Sequence, residues 1–257
     1  MKYFLNRTNN LYVNIIVMLV VLFIALCLII GIKNIFGPLD DQAQTINLSF
    51  KSLPLYAYRT AIRMLLALFA TVIIGYIYAS LAAKNKRIGA FLIPLLDIFQ
   101  SVPVLGYLSF TVTAFVAMAP GNILGVELAI IFALLTAQIW NVILSIYQSL
   151  TTVPKDLYEV AKIYKLNKWQ IFWQIEFPFT IPGLIWNLIL SMSSSWFFIV
   201  ASEAISVGKQ TYTLPGLGVY ISIALKNADI KATLAAMLAI LIVINILSLL
   251  QKDFLFA

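Results

Sequence analysis

The sequence predicts an all-α, polytopic membrane protein with six transmembrane helices, and three observations predict it. Of its 257 residues 62% are hydrophobic and only 11% are charged, a balance that soluble domains do not keep. Apolar runs recur at the length needed to cross a bilayer. Between them, basic residues collect in two clusters, at 84–87 and 155–168, as they do in cytoplasmic loops. The net charge of +7 reflects that bias rather than nucleic-acid binding. One cysteine, Cys27, and no histidine argue against a disulfide framework, a metal centre and histidine-based acid–base chemistry.

The first expected span runs from Leu11 to Ile32 behind Lys2 and Arg7. Its length suits a retained span better than a signal peptide, and no small-residue cleavage site follows. The polar stretch 33–58 then lies outside. A second span covers about Arg59 to Ala83. Arg59 and Arg63, one turn apart at its outer end, are read as an interfacial anchor that snorkels to headgroups, in preference to a group attracting anions. Gly75, Ala79, Ala82 and Ala83 suit close helix packing. The turn 84–87 marks the cytoplasm.

The apolar stretch from Ile88 to Ala119 is too long for one straight span. Asp97, Gln100 and Ser101 interrupt it, and Pro103 and Gly106 can break it. Polar groups beside a broken helix are a candidate substrate path; for Asp97 the alternative is a packing role near the cytoplasmic interface. After an outer turn at 120–122, a fourth span covers about Val126 to Leu150. It carries Gln138 and Asn141, which can bond across helices or line a polar path. The fifth span, about Ile181 to Ser202, carries Ser191, Ser193, Ser194 and Ser195 as a small polar face, with Trp196 beside them. Glu203 ends it at the outer side. Gly208-Lys209-Gln210-Thr211 is not a phosphate-binding loop: Glu203 stands at the required upstream glycine, Gln210 at the hydroxyl position, and no strand is expected before it. The last span covers about Ala232 to Leu250.

Residues 152–178 form the longest charged, amphipathic island between two apolar runs. Pro154, Asp156 and Glu159 open a helix that Lys162 and Lys165 close, the charge order a helix dipole favours. Leu157, Val160, Ala161 and Tyr164 recur at helical spacing as one apolar face. Asn167 can cap a second helix carrying Trp169, Phe172, Trp173 and Ile175. Pro178 marks the entry to the next span.

This stretch resembles a signature of permease subunits of bacterial ABC importers, the binding-protein-dependent class with the MetI-like fold. Their cytoplasmic loop reads E-A-A, three residues, G, nine residues, then I-x-L-P. Here Glu159-Val160-Ala161, Lys165 and Ile175-Glu176-Phe177-Pro178 keep the spacing from end to end. Lys165 is the main departure, because glycine there would supply a left-handed turn residue, a role Asn167 can partly take over. The segments LPLYAYRTAIRM, PLLDIFQSVPVLGYL, AQIWNVILSIYQSL, SSSWFFIVASEAI and TLPGLGVYI are similar to permeases of the nitrate, sulfonate and bicarbonate group, over roughly residues 53–245. A subgroup fuses two such halves in one chain; this chain supplies one half.

The resemblance implies a transport subunit and not an enzyme. It implies three regions: 1–57, an N-terminal span and external loop; 58–250, the permease core with the ATPase-coupling loop 152–178; and 251–257, a short tail. Glu159, Val160, Ala161, Tyr164, Lys165 and Pro178 would form the ATPase-coupling surface. Asp97, Gln100, Ser101, Asn141, Ser194 and Trp196 would line the translocation path. The implied partners are a dimer of ABC ATPase subunits, a second permease copy or related half, an external solute-binding protein and the lipid bilayer. ATP and Mg would be bound on the ATPase and no cofactor by this chain. The implied location is the bacterial inner membrane, multi-pass, with both termini cytoplasmic. The competing reading is an ion-coupled secondary transporter, which would call for repeated halves and paired acidic residues at the midplane; Asp97 stands out as the candidate carboxylate inside a span.

Overall fold

The computed structural model describes residues 46–256 except 121, 208 and 209. The expected first span at 11–32, and with it most of the region 1–57, lies outside the described residues. A 3-10 turn at Phe50–Ser52 leads into α1 (Leu53–Lys84), where proline falls in the tolerant first turn. Asn85 then starts α2 (Lys86–Ser101), its side-chain oxygen accepting from the Arg87 and Ile88 N–H groups. Val102 and Pro103 are extended, and α3 (Val104–Met118) comes next. The interruption expected in 88–119 therefore falls at Pro103, which forces the residue before it out of helical geometry. Gly106 lies inside α3 and breaks nothing.

Helix α4 (Leu124–Thr151) is the central element, packed against α1, α3 and α7. The short α5 (Lys155–Ile163) is followed by α6 (Lys168–Ile171), a π-turn at Phe172–Glu176 and α7 (Phe177–Ser202), the last three without a break. A hairpin of β1 (Ala204–Val207) and β2 (Gln210–Thr213) pairs Ala204 with Thr213 and Val207 with Gln210. The fold class stays all-α around this small hairpin, and one expectation is corrected: a strand does precede 208–211. The element after that strand is a second strand rather than a helix, so the phosphate-loop geometry is still missing. Helices α8 (Leu217–Lys226) and α9 (Ile230–Phe256) complete the fold.

Among the described residues three helices are long and apolar enough to cross a membrane: Phe50–Lys84, Leu124–Thr151 and Lys168–Val200. The sequence leads one to expect six spans. The difference has three causes: Pro103 divides one apolar stretch into two short helices, the last apolar helix counts only as a shorter one over Ile230–Ile246, and the first stretch is outside the described residues. The third long helix begins well before the expected Ile181, because the π-turn carries the coil through Pro178.

Two apolar cores lie along α4. One, at its Glu127 end, gathers Met64, Ala67, Ile130, Leu134, Ile199 and Tyr220; the other, at its Leu150 end, gathers Ala79, Leu96, Val142, Ile143, Ile146 and Leu184. Gly75, Ala79 and Ala82 are buried, as their size predicts, and let α1 approach α4 closely.

Arg63 overturns its sequence reading. It is 4% exposed and anchors no headgroup. Its Nε and Nη2 donate to the two oxygens of Glu127 at 2.7 Å each, and Nη1 donates to Glu203 Oε1 at 2.8 Å and to the Pro215 carbonyl at 3.2 Å. Glu203 also accepts from Thr60 Oγ1 at 2.8 Å and from the Gly218 N–H at 2.6 Å, while the Leu217 N–H donates to Thr60 Oγ1. The carboxylate thus sits at the N-terminus of α8, where free N–H groups favour an anion. Glycine is required there: a Cβ on Gly216 would lie 2.3 Å from the Glu203 oxygens, and one on Gly218 would lie 2.8 Å from the Ile199 carbonyl. One cluster therefore ties α1, α4, the end of α7 and α8 together.

Replacing Arg63 with Met leaves two buried carboxylates without a counter-charge and should destabilise the fold by about 3–5 kcal/mol. Thr60→Val removes a donor to Glu203 and the acceptor of the Leu217 N–H and should lose about 2 kcal/mol. Thermal unfolding in detergent measures both; equal losses would contradict the bidentate pair as the main tie.

Candidate functional site

The segment 152–178 is built from the end of α4. Thr151 and Thr152 hydroxyls fold back onto the carbonyls of Tyr147, Gln148 and Ser149, and Val153 is buried. Pro154, extended at ψ 135°, precedes the first residue of α5. Asp156 lies in the first turn and Lys162 in the last, the expected dipole arrangement.

The apolar face of α5 is divided. Ala161 is fully buried against the chain. Leu157, Val160, Ile163 and Tyr164 are exposed, the last two at 77% and 75%. Glu159 is exposed on the same short helix. The helix is held by one small buried residue, and its large apolar side chains stay open, so it is not a core element.

Lys165 itself takes the left-handed conformation, at φ 51°. The Leu166 N–H donates to the Ala161 carbonyl at 2.9 Å and the Lys165 N–H to Lys162 at 3.0 Å, the paired bonds of a Schellman closure. Asn167 does not share that role. It is extended and caps α6 reciprocally with Gln170, as its sequence position predicts for a cap. The same closure recurs at Ala228, φ 53°, where the Asp229 N–H reaches the Ala224 carbonyl. In neither place is glycine present.

Behind the exposed face stands a junction that sequence reasoning misses. Glu176, the last residue of the π-turn, is buried, and its Oε2 accepts from Lys84 Nζ at 2.8 Å. Tyr158 of α5 donates to Glu176 Oε1 at 3.5 Å. Burial, the charge of Glu176 and this bond all push the Tyr158 hydroxyl pKa upward, so it stays a donor. Trp169, Phe172, Trp173, Phe177 and Tyr76 cluster around the turn in edge-to-face and tilted contacts, and Tyr76 hydrogen-bonds Thr180. The available sequence signal is an acidic residue set between Ile175 and Phe177-Pro178 at a membrane entry, where an unpaired carboxylate is costly. Glu127, inside an apolar run, carries the same signal, so Asp97 is not the one carboxylate to weigh within the spans.

The candidate path residues are distributed unevenly. Asp97, Gln100 and Ser101 come together on the exposed last turn of α2: Gln100 Nε2 donates to Asp97 Oδ1 at 3.1 Å and Ser101 Oγ to the Asp97 carbonyl at 2.8 Å. Asn141 on α4 and Ser194 on α7 are exposed, and Ser194 Oγ donates to the Ser191 carbonyl. Trp196 is buried in the core with Met192 and Ile199, so it packs helices and offers no wall to a path. Pro178 is exposed beside the π-turn. Among the described residues no group of three potential metal ligands exists.

Three comparisons bear on this arrangement. The family described as binding-protein-dependent transport system inner membrane component matches residues 71–255. The chain is 25% identical to the nitrate import permease protein NrtB of Synechocystis sp., over 81% of its own length and 70% of the relative's. It is 23% identical to the bicarbonate transport system permease protein CmpB of Synechococcus elongatus, covering 58% of itself and 49% of the relative. It is 26% identical to the taurine transport system permease protein TauC of Escherichia coli, over 73% and 63%. The chain thus spans about half to two thirds of the length of several of these relatives. In fold it matches a chain of the inward-facing MetNI methionine ABC transporter, with TM-score 0.57, 12% identity, and 76% of this chain and 93% of the other covered.

The left-handed Lys165 is testable. A β-branched residue at that φ is strained by roughly 1–2 kcal/mol, whereas glycine is not. Hydrogen-exchange protection of the Leu166 amide should be lower in Lys165→Val than in Lys165→Gly by about that amount, with the lysine protein between them. Equal protection in both variants would rule out the Schellman closure.

Proposed function

Because the chain belongs to the family of binding-protein-dependent transport system inner membrane components, we propose that it is the membrane-spanning permease subunit of an ATP-driven importer whose ATPase docks on α5. The observation that carries the proposal is the exposed face of α5, fixed at both ends and held by Ala161, with Glu159, Val160, Ile163 and Tyr164 open to a partner. The loop 152–178, including Lys165 and Pro178, is the ATPase-coupling element of a core spanning 58–250. ATP and Mg are bound by the ATPase pair.

In this reading the turn at 84–87 and α5 lie in the cytoplasm, both termini are cytoplasmic, and six spans cross the inner membrane. Residues 1–57 supply the first span and an outer loop, and 251–257 a short inner tail. The hairpin at 204–213 and the Glu203 cluster lie on the outer side, where a solute-binding protein delivers its load. A second permease copy or a related half completes the path. The exposed stripe Pro182, Trp186, Leu190, Ser194 and Phe197 along α7 supports that pairing, because it combines aromatic, aliphatic and small polar groups at helical spacing. Asp97, Gln100, Ser101, Asn141 and Ser194 are the path residues, with Trp196 supporting α7 from behind. The named relatives are permeases for nitrate, bicarbonate and taurine, so the solute class is small and bears an anionic oxygen-containing group. ATP binding draws the two docking helices together, and the permease halves tilt between inward-open and outward-open states.

The test is co-purification of the permease with its ATPase subunit. Glu159→Lys should weaken association about tenfold or more, as reversal of an interface charge does, while Lys51→Glu, outside the loop, should leave it unchanged. Full association of the Glu159→Lys protein would refute α5 as the docking face.

A further inference from the structure

The Lys84–Glu176–Tyr158 junction sits between the docking face and the membrane. Tyr158 is one residue from Glu159 on α5. Its hydroxyl meets Glu176 Oε1, and the other oxygen of that carboxylate holds Lys84 Nζ in the last turn of α1. One buried carboxylate, carried by the π-turn that begins the α7 rod, therefore contacts two other elements, α5 and α1. The two contacts differ in strength. The ion pair is short at 2.8 Å, whereas the tyrosine contact, at 3.5 Å, lies at the outer limit of a hydrogen bond. The carboxylate is firmly fixed to α1 and loosely gripped by α5.

We propose that Glu176 is a positioning residue: the carboxylate shared by Lys84 and Tyr158 makes the docking helix and the inner end of α1 move as one piece. This rests on the reading of α5 as the ATPase-docking helix. The surroundings favour transmission here. Ala161 is a small contact that permits sliding, and Tyr158 adds a directional one. The aromatic side chains around Phe172 and Phe177, in edge-to-face and tilted contact, make the π-turn a stiff block. A buried ion pair is hard to pull apart, because separation leaves a charge unsolvated. A push on α5 that moves Glu176 therefore carries α1 with it rather than breaking the contact.

The Glu176→Gln variant is expected to fold, because Lys84 is half exposed and water can solvate it once its partner is neutral. The experiment uses the permease–ATPase complex in lipid nanodiscs, with Cys27→Ser and single spin labels at Lys155→Cys on α5 and Leu81→Cys on α1, diluted with unlabelled permease. The label-to-label distance is measured with and without ATP and Mg, and the amount of bound ATPase is recorded for each sample. With Glu176 intact the distance should stay constant on ATP binding. With Glu176→Gln it should shift by about 2 Å or more, the scale of helix displacements in switching proteins, with ATPase still bound. Tyr158→Phe should shift it in the same direction by less. Exchanging the pair, Lys84→Glu with Glu176→Lys, should restore the constant distance.

An unchanged distance in Glu176→Gln overturns the proposal, as does an exchanged pair that behaves no better than the single variant. Absence of bound ATPase in the sample with Glu176 intact overturns the docking reading and this inference together; bound ATPase with no ATP-dependent shift in Glu176→Gln overturns this inference alone.

Discussion

The fold depends on one guanidinium. Arg63 joins Glu127, 64 residues away, to Glu203, 140 residues away, in a space almost closed to solvent. In lipid, apolar side chains gain little by leaving the solvent, so helix association has to come from close packing and from polar groups that need each other. The small residues on α1 supply the first. The Arg63 cluster supplies the second, and it also fixes register. The two bonds to Glu127 are satisfied together in one axial placement of α1 against α4. The Glu203 carboxylate in turn fixes where α8 begins, through the N–H groups of Leu217 and Gly218 with Thr60 as intermediary. A buried pair of this kind adds little net stability over an apolar substitute, yet removal of one member is severe. It acts as a specification of geometry more than as a source of free energy.

The opposite end of the bundle solves the same problem with fewer bonds. Lys84 and Glu176 form one ion pair, half open to water on the lysine side, next to an aromatic cluster. The Arg63 end holds four elements with charged and backbone groups at once. The Lys84 end holds α1 and the start of α7 firmly and α5 by a single small side chain and a long hydrogen bond. Local stability depends on such contacts, and segments with few buried neighbours open first.

The parts legible in the sequence are those written in local spacing. The loop 152–178, its dipole order, the Asn167 cap and the break before α3 all depend on residues a few positions apart, and each appears where the spacing places it. Arg63 is misread from sequence because its meaning depends on Glu127 and Glu203, and no local pattern connects them. At the end of an apolar run, a snorkelling arginine and a buried one look alike. Glu176 escapes notice because it occupies an unrestricted position of the loop pattern, although a carboxylate next to Phe177-Pro178 has an electrostatic cost that asks for a partner. The hairpin at 204–213 is short and comes directly after a helix without a turn signal, so nothing in its composition separates it from a loop. Trp196 suggests a path residue by its size and its serine neighbours; its helical phase puts it with Met192 and Ile199 on the inward face instead.

Lys165 shows how pattern and physics diverge. The pattern asks for glycine because the chain must reverse into left-handed geometry after α5. The structure keeps that geometry with lysine in place, and does so again with Ala228 after α8. In both closures two backbone bonds are formed that an unreversed end would leave as bare carbonyls. Two satisfied carbonyls outweigh the roughly 1 kcal/mol of strain that a non-glycine residue carries there. At α5 the tight reversal sets the angle between this short helix and the rod that begins at Lys168. That angle fixes where Tyr158 meets Glu176. Lysine at 165 therefore keeps the reversal that glycine would give and adds a positive charge beside the exposed face of α5.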